Sequence, residues 1–436
     1  MAELVGCGLE SRTSLDTEAK SDSMFWKRRR ALLWCFVGAM ITVHLFFLWR
    51  VRDRIVRGDP DFTVFYTASK ILREGRGADL YSARTQLAVQ EEFAQNPDIR
   101  RGPLPYVHPP FEALFFLPLT FLPYPQAYAV WSLINLAMLA GVAALLRTSL
   151  GSLRAIPIWE MVVLSLAFFP IFANFHQGQD AILLLLILTL SFCALARDAE
   201  SLAGCWLAFG LFKYHLILPL ALILAFWRGR RFVLGFASVA AVLVLVSLGL
   251  VGWNGAVQYP LYAWRVISGP AFGGIPPRQI PSLFGLLAGW PPSQKISWAV
   301  QVAVTAGSIA LFIMVDTLRQ WALRGELWRL CVAAAVIAAL LVGYSTNTYD
   351  LSLLVVPLAV VVDFLFVNPR EVRKLLTPAI PFFVSPVWFF LWMKWQRTNV
   401  MAVFLLWWLF ALIVQIRRAG ERTEAASSES RVSANA

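Results

Sequence analysis

The feature that most constrains this chain is the recurrence of apolar runs about twenty residues long, from Ala31 through Trp49 onward to the far end. A helix rises 1.5 Å per residue, so a run of about 20 crosses the roughly 30 Å hydrocarbon layer of a bilayer. A helix also satisfies its own backbone groups there, as lipid cannot. Hydrophobic residues make up 58% of the sequence and charged residues only 15%, against about 25% charged in a soluble domain. The 436 residues are therefore spent on crossings, and the expected fold is an all-α polytopic membrane protein. A β-barrel would show alternating segments of about ten residues instead.

The runs predict twelve crossings, at 31–49, 126–146, 157–174, 180–196, 202–212, 216–227, 232–251, 297–315, 329–344, 350–366, 376–393 and 398–416. They divide the chain into a cytoplasmic tail (1–30), a membrane domain (31–416) and a polar tail (417–436) expected to be cytoplasmic and disordered. Lys27-Arg28-Arg29-Arg30 directly precedes the first run, which sets the N-terminal side as cytoplasmic. A polar stretch precedes that cluster and no small-residue cleavage site follows, so it is not read as a cleavable signal. The net charge of +12 sits in such clusters at run ends, a mark of membrane orientation, and no nucleic-acid partner is implied. Cys7, Cys35, Cys193, Cys205 and Cys331 show no paired spacing, and the four histidines no metal-ligand spacing.

The stretch from Leu202 to Arg231 decides the topology. Read as one crossing, it would put Arg228, Arg230 and Arg231 outside. Read as two short crossings turning at Lys213-Tyr214-His215, it keeps them in the cytoplasm with Arg319, Arg324, Arg329, Arg370, Arg373, Lys374, Arg417 and Arg418. The hairpin is the expected form. Arg50, Arg52, Arg54 and Arg57 run against the rule, and contact with anionic head groups is their only assigned role. The first outer loop, about 50–125, carries an amphipathic helix with Val64, Ala68, Ile71 and Leu72 on one face. Its run "PPFEALFFLPLTFLP" is too short and proline-rich to span, and reads as dipping into the interface.

With that topology the unusual polar residues gather on the outer side: Asp59, Asp61, His108, His176, Gln177, Gln179, Asp180, Lys213, His215, Arg278, Tyr349 and Asp350. An ionisable group within a bilayer is costly, which makes each a functional candidate. Structural readings stand beside the functional ones. Asp61 suits the N-cap of the Val64 helix, and His108 before Pro109-Pro110 suits a turn. Gln177, Gln179 and Asp180 suit a tight turn and the next helix start, and Tyr349 and Asp350 another. Lys213 has little room to reach the inner surface, which favours a functional reading for it.

The order and spacing of "DF…FY" (Asp61 to Tyr66), "DLY" (Asp79 to Tyr81), "YVHPPFEALFFLPLTFLP", "AVW" (Ala129 to Trp131), "GQD" (Gly178 to Asp180), "AG…FK…LP" (Ala203 to Pro219) and "TYDLSLLVVPL" (Thr348 to Leu358) resembles glycosyltransferase family 87, over about residues 55–360. These are membrane enzymes of the C-type glycosyltransferase fold, among them mycobacterial polyprenyl-phosphate-mannose-dependent mannosyltransferases. The chain departs at His108, where the family often has Tyr, and at "RQIPS" (Arg278 to Ser282), where it often has Asn-Gln-Ser.

The resemblance implies an inverting transfer of a hexosyl, above all mannosyl, or pentosyl unit from a polyprenyl-phosphate sugar to a glycolipid or envelope glycan. The setting implied is a bacterial plasma membrane, with the site facing the periplasm or exterior and membrane lipids around it. The family's Asp-Phe pair falls on Asp61-Phe62, so Asp61 is the implied catalytic base. Lys213 is the implied partner of the donor phosphate, with His215 and Arg278 in reserve. Asp59, Tyr66, Tyr81, His108, Gln177, Gln179, Asp180, Tyr349 and Asp350 are the remaining candidates for substrate binding or loop orientation. No cofactor is required by this reading. It leaves open a divalent cation, which Asp59 would hold. The rival from another class is a transporter or flippase, which would favour ionisable groups at mid-membrane and repeated halves; neither is evident.

Overall fold

The computed structural model describes residues 3–94, 104–268, 276–289, 298–323, 325 and 327–434. Among these there is no strand. The helices are α1 (Glu3–Val56), α2 (Phe62–Arg73), α3 (Ala83–Glu91), α4 (Ala113–Phe116), α5 (Tyr124–Ser149), α6 (Ile158–Leu166), α7 (Phe169–Gln177), α8 (Ala181–Leu195), α9 (Glu200–Ala208) and α10 (Tyr214–Arg228). They continue with α11 (Arg230–Ser268), α12 (Leu283–Ala288), α13 (Trp298–Asp316), α14 (Arg319–Ala322), α15 (Trp328–Val342), α16 (Val355–Val367), α17 (Val372–Leu376), α18 (Ser385–Phe390) and α19 (Met401–Ala434). Among the described residues seven helical runs are long and apolar enough to cross a membrane, or up to nine if two bent pairs each count as one. The protein is an all-α polytopic membrane protein.

One of those seven runs, Glu200–Arg228, is not straight. Over 29 residues a straight helix would separate its ends by about 40 Å. Instead Arg228 feels the charges of Glu200 and Asp198, while Lys213 between them pairs with Asp180 and Asp350. The backbone leaves helical geometry at Lys213 (φ −111°, ψ 58°). The run is therefore the hairpin expected from the sequence. The glycines beside it permit close packing: a Cβ on Gly204 would lie 2.2 Å from the Phe232 carbonyl oxygen, and one on Gly235 2.0 Å from that of Ser201.

Polar contacts sort the connections into two ends. At one end Arg30 pairs with Glu160, Arg329 with Asp363, and Arg417 donates to Thr317. At the other lie Asp61, Gln179, Lys213 and Asp350, with Arg278 donating to Gln396.

The loop between α1 and α5 folds as a small aromatic core resting on this second end. Within α2, Phe62, Phe65, Ala68 and Ile71 are fully buried, and Phe65 stacks on Phe116 at 4.5 Å between centroids. The Pro110–Phe121 run forms short helical turns under α2. Gly252 at φ 67° bends α11 rather than ending it. The continuation, expected as loop, is helical to Ser268 and sends the Tyr262 hydroxyl to Gln86.

Two features flank the bundle. Past residue 417 the chain continues α19 as helix to Ala434; its Ala, Glu and Arg content favours helix. The basic cluster after the first crossing is partly paired, Arg54 with Asp59 at 3.6 Å and Arg52 with Asp53 at 3.7 Å.

Candidate active site

A cavity of about 220 Å³ opens at the second end. Drug-sized sites run from about 300 to 1,000 Å³, so this one has room for roughly a single ring. Its walls are Phe169, Phe172, Phe389, Trp392 and Tyr349, and its polar groups are Asp61, His176, Gln177, Gln279, Asn347, Thr348 and Thr398. Asp61 is the one carboxylate among the lining residues.

Asp61 sits at the N-cap position of α2, yet its side chain makes no cap hydrogen bond. The Gln179 amide donates to Asp61 Oδ2 at 2.8 Å, and the Asp61 backbone N–H donates to Gln177 Oε1 at 3.3 Å. Neither glutamine is placed by chance. Gly178 between them takes φ 60° and ends α7. A Cβ there would lie 2.7 Å from Phe62 Cβ and 2.8 Å from Tyr128 Cε2, so only glycine lets this turn tuck under α2. The Trp131 indole donates to the Gly178 carbonyl at 3.0 Å, and the Tyr128 hydroxyl to that of Phe175 at 2.5 Å. The separate "DF", "AVW" and "GQD" pieces are thus one contact surface.

Behind the glutamine stands a buried charge cluster. Lys213 Nζ lies 2.9 Å from Asp180 Oδ1, 2.9 Å from Asp350 Oδ1 and 3.4 Å from Gln179 Oε1. It also sits 4.7 Å from the centroid of the Tyr349 ring. Asp350 turns its other oxygen to the Asn347 N–H at 2.7 Å, within a capping box that starts the next helical run. Asp180, the N-cap of α8, makes no side-chain cap bond. Lys213 is only 2% exposed.

The direct donor-phosphate contact expected of Lys213 does not fit this geometry, because its charge is already enclosed by two carboxylates and an amide oxygen. The lysine instead holds Gln179, and through it Asp61. His215 is packed beside Tyr214 and Tyr344 and is not part of the cavity wall. Arg278 is exposed at the rim, next to the lining residue Gln279, and bonded to Gln396 at 2.8 Å. Asp59 pairs with Arg54 and does not line the cavity.

Tyr66 and Tyr81, candidates for substrate binding or loop orientation, do not line the cavity. Tyr66 donates to the Leu122 carbonyl and Tyr81 to that of His108, and with Tyr106 all are buried in the loop core. Burial raises the Tyr81 and Tyr106 hydroxyls well above their ordinary range, so they act as donors. His108 is half-buried, between the Phe65 and Tyr106 rings, and desolvation pushes its imidazole down to about 4.

Sequence reasoning missed Glu112, Asn347 and Trp392. Glu112 is 0% exposed, with Oε2 3.0 Å from His108 Nδ1. Its signal was present: a single carboxylate inside the apolar run "PPFEALFF".

The fold and the site define a membrane-embedded protein with one carboxylate presented in a small aromatic cavity at one end of a helical bundle. The chain matches glycosyltransferase family 87 over residues 106–343 and belongs to that family; it is a membrane glycosyltransferase. The matched stretch includes His108, the Gly178 turn, Lys213 and Arg278, while Asp61 and Asp350 flank it. No curated protein and no solved structure matches the chain.

Proposed function

We propose that this glycosyltransferase moves a hexosyl unit, preferably mannosyl, or a pentosyl unit from a polyprenyl-phosphate sugar to a glycolipid or envelope glycan. The reaction takes place on the outer face of a bacterial plasma membrane, with inversion. The observation that carries the reading is Asp61: a carboxylate at the cavity, released from capping and aimed by Gln179. Such a group takes the proton of an acceptor hydroxyl as its oxygen bonds to the anomeric carbon. The bond from that carbon to the donor phosphate breaks, and its electron pair leaves with the polyprenyl phosphate.

A lipid-linked donor is supported by the cavity's surroundings. Leu391, Trp395 and Val400 form an apolar opening together with Arg397, close in the chain to the lining residues Trp392 and Thr398. An apolar chain suits the first three, and a phosphate suits Arg397 and the rim residue Arg278. The phosphate role is therefore assigned to Arg278 ahead of Lys213 or His215. The outer-face orientation is supported by the arginines at the opposite end of the bundle.

The test is transfer from a polyprenyl-phosphate sugar by the purified Asp61→Asn protein. Asn keeps the shape but takes no proton at neutral pH, and general-base help is worth about 10²–10⁴-fold. A loss of that order with the melting temperature unchanged is expected. Asp59→Asn should lose less. Near-normal turnover by the Asp61 variant would remove the base assignment.

A further inference from the structure

Beneath the cavity, and outside its lining, His108, Glu112 and Asp180 bring one ligand atom each within 4.8 Å of one another. We infer that these three side chains form a binding site for one divalent transition-metal ion of the Zn²⁺ type. The ion would tie the outer loop to the membrane bundle.

The unpartnered atoms point to a ligand. Glu112 is 0% exposed and faces the Asp180 carboxyl group at hydrogen-bond range, an approach of two buried carboxyl groups that needs either a shared proton or a cation between them. Tyr106 lies close by, but its hydroxyl is spent on the Pro109 carbonyl at 2.8 Å. His108 Nδ1 faces Glu112 Oε2 at 3.0 Å without hydrogen-bond geometry, while the imidazole finds the Phe212 carbonyl as a hydrogen-bond partner. A backbone carbonyl on one side of the ring is the arrangement that orients a metal-ligating histidine. Asp180 Oδ2 is also buried, and no N–H group donates to it among the described residues.

Distances and charge agree with an ion. Two atoms bound at about 2.0–2.2 Å to one Zn²⁺ sit about 3 Å apart when adjacent, as Nδ1 and Oε2 do. All three ligand atoms lie within 4.8 Å of one another, which small side-chain movements bring to bonding range. Glu112, Asp180 and Asp350 set three carboxylates against the single ammonium of Lys213. An unbalanced charge at this depth is costly; a divalent cation balances the remainder when all three are ionised, in place of the proton that Glu112 and Asp180 otherwise share. A nitrogen donor with carboxylates favours Zn²⁺ over Ca²⁺ or Mg²⁺.

The ion would act on position. It joins the His108–Glu112 turn to the start of α8, directly beside the Gln179 that holds Asp61.

The full chain, purified in detergent, is stripped with chelator, incubated with Zn²⁺ or Ca²⁺, desalted and assayed for metal by mass spectrometry. About one Zn²⁺ per chain should remain, with little Ca²⁺, and Zn²⁺ should raise the melting temperature. His108→Asn and Glu112→Gln should each retain at least about five-fold less Zn²⁺, while Asp53→Asn retains it fully. Should both site variants fail to fold, the native chain loaded with Co²⁺ decides: visible absorption of a nitrogen–oxygen site, displaced by Zn²⁺, supports the proposal. Folded native protein without Zn²⁺, or equal Zn²⁺ in a folded site variant, overturns it.

Discussion

Lys213 illustrates how far a single residue's role depends on its partners. Its position was legible in the sequence, because a lysine midway along an apolar hairpin needs a reason. Its task was not, since nothing in the sequence says that Asp180 and Asp350 come within 2.9 Å of it. Removing one partner of a buried ion pair typically costs about 3–5 kcal/mol, because the other charges are left unmatched. Lys213→Met should therefore lower the melting temperature strongly and lose transfer through unfolding. Adding Asp180→Asn and Asp350→Asn to it should recover part of the stability. Melting curves in detergent give the answer, and a single Met variant as stable as the native protein would mean the trio is not held together by charge. Glu112 shows the same limit from the other side. The four histidines lack ligand spacing in sequence, yet His108 meets a carboxylate four residues on and another from α8. Only the fold brings that third group.

At the scale of elements, the legible parts were those with a local cause. Apolar length marked the helices, and Val64, Ala68 and Ile71 marked part of the buried surface of α2, which also takes in Phe62, Phe65, Tyr66, Thr67 and Ser69 while Leu72 is half-buried. The Gly178 turn is different, because its requirement comes from α2 and α5 and not from its own neighbours. This contrast can be measured with Gly75, which also has positive φ, 71°, but where an added methyl would meet nothing within 4 Å. Alanine at Gly75 carries only the backbone strain of a left-handed site. Alanine at Gly178 carries the same strain plus collisions with Phe62 and Tyr128, so it should cost clearly more than the ~1 kcal/mol scale of such changes. It should also lower kcat, because Gln177 and Gln179 would move away from Asp61. Thermal melting and initial rates of both variants separate the two terms. Equal effects would mean that the turn has slack the packing does not reveal.

For the whole molecule, the decisive quantity is which end faces the cytoplasm. The Lys213 hairpin returns Arg228 to Glu200 and Asp198, so Arg228, Arg230 and Arg231 share an end with the Arg30–Glu160 and Arg329–Asp363 pairs. The exceptions at the cavity end, Arg52 and Arg54, are paired with Asp53 and Asp59, which weakens their pull on orientation. Cytoplasmic retention acts on Lys and Arg close to crossing ends, so the arginine-rich end should be cytoplasmic and the Asp61 cavity outside. Reporter fusions after Arg231 should then give a cytoplasmic signal, as should fusions after Arg418. A cysteine placed at Gln396, on the cavity side, should react with a membrane-impermeant thiol reagent in intact cells. An outward signal after Arg231 with a shielded residue 396 would invert the molecule. The donor would then have to be met at the cytoplasmic surface, and the polyprenyl-phosphate reading would lose its reason.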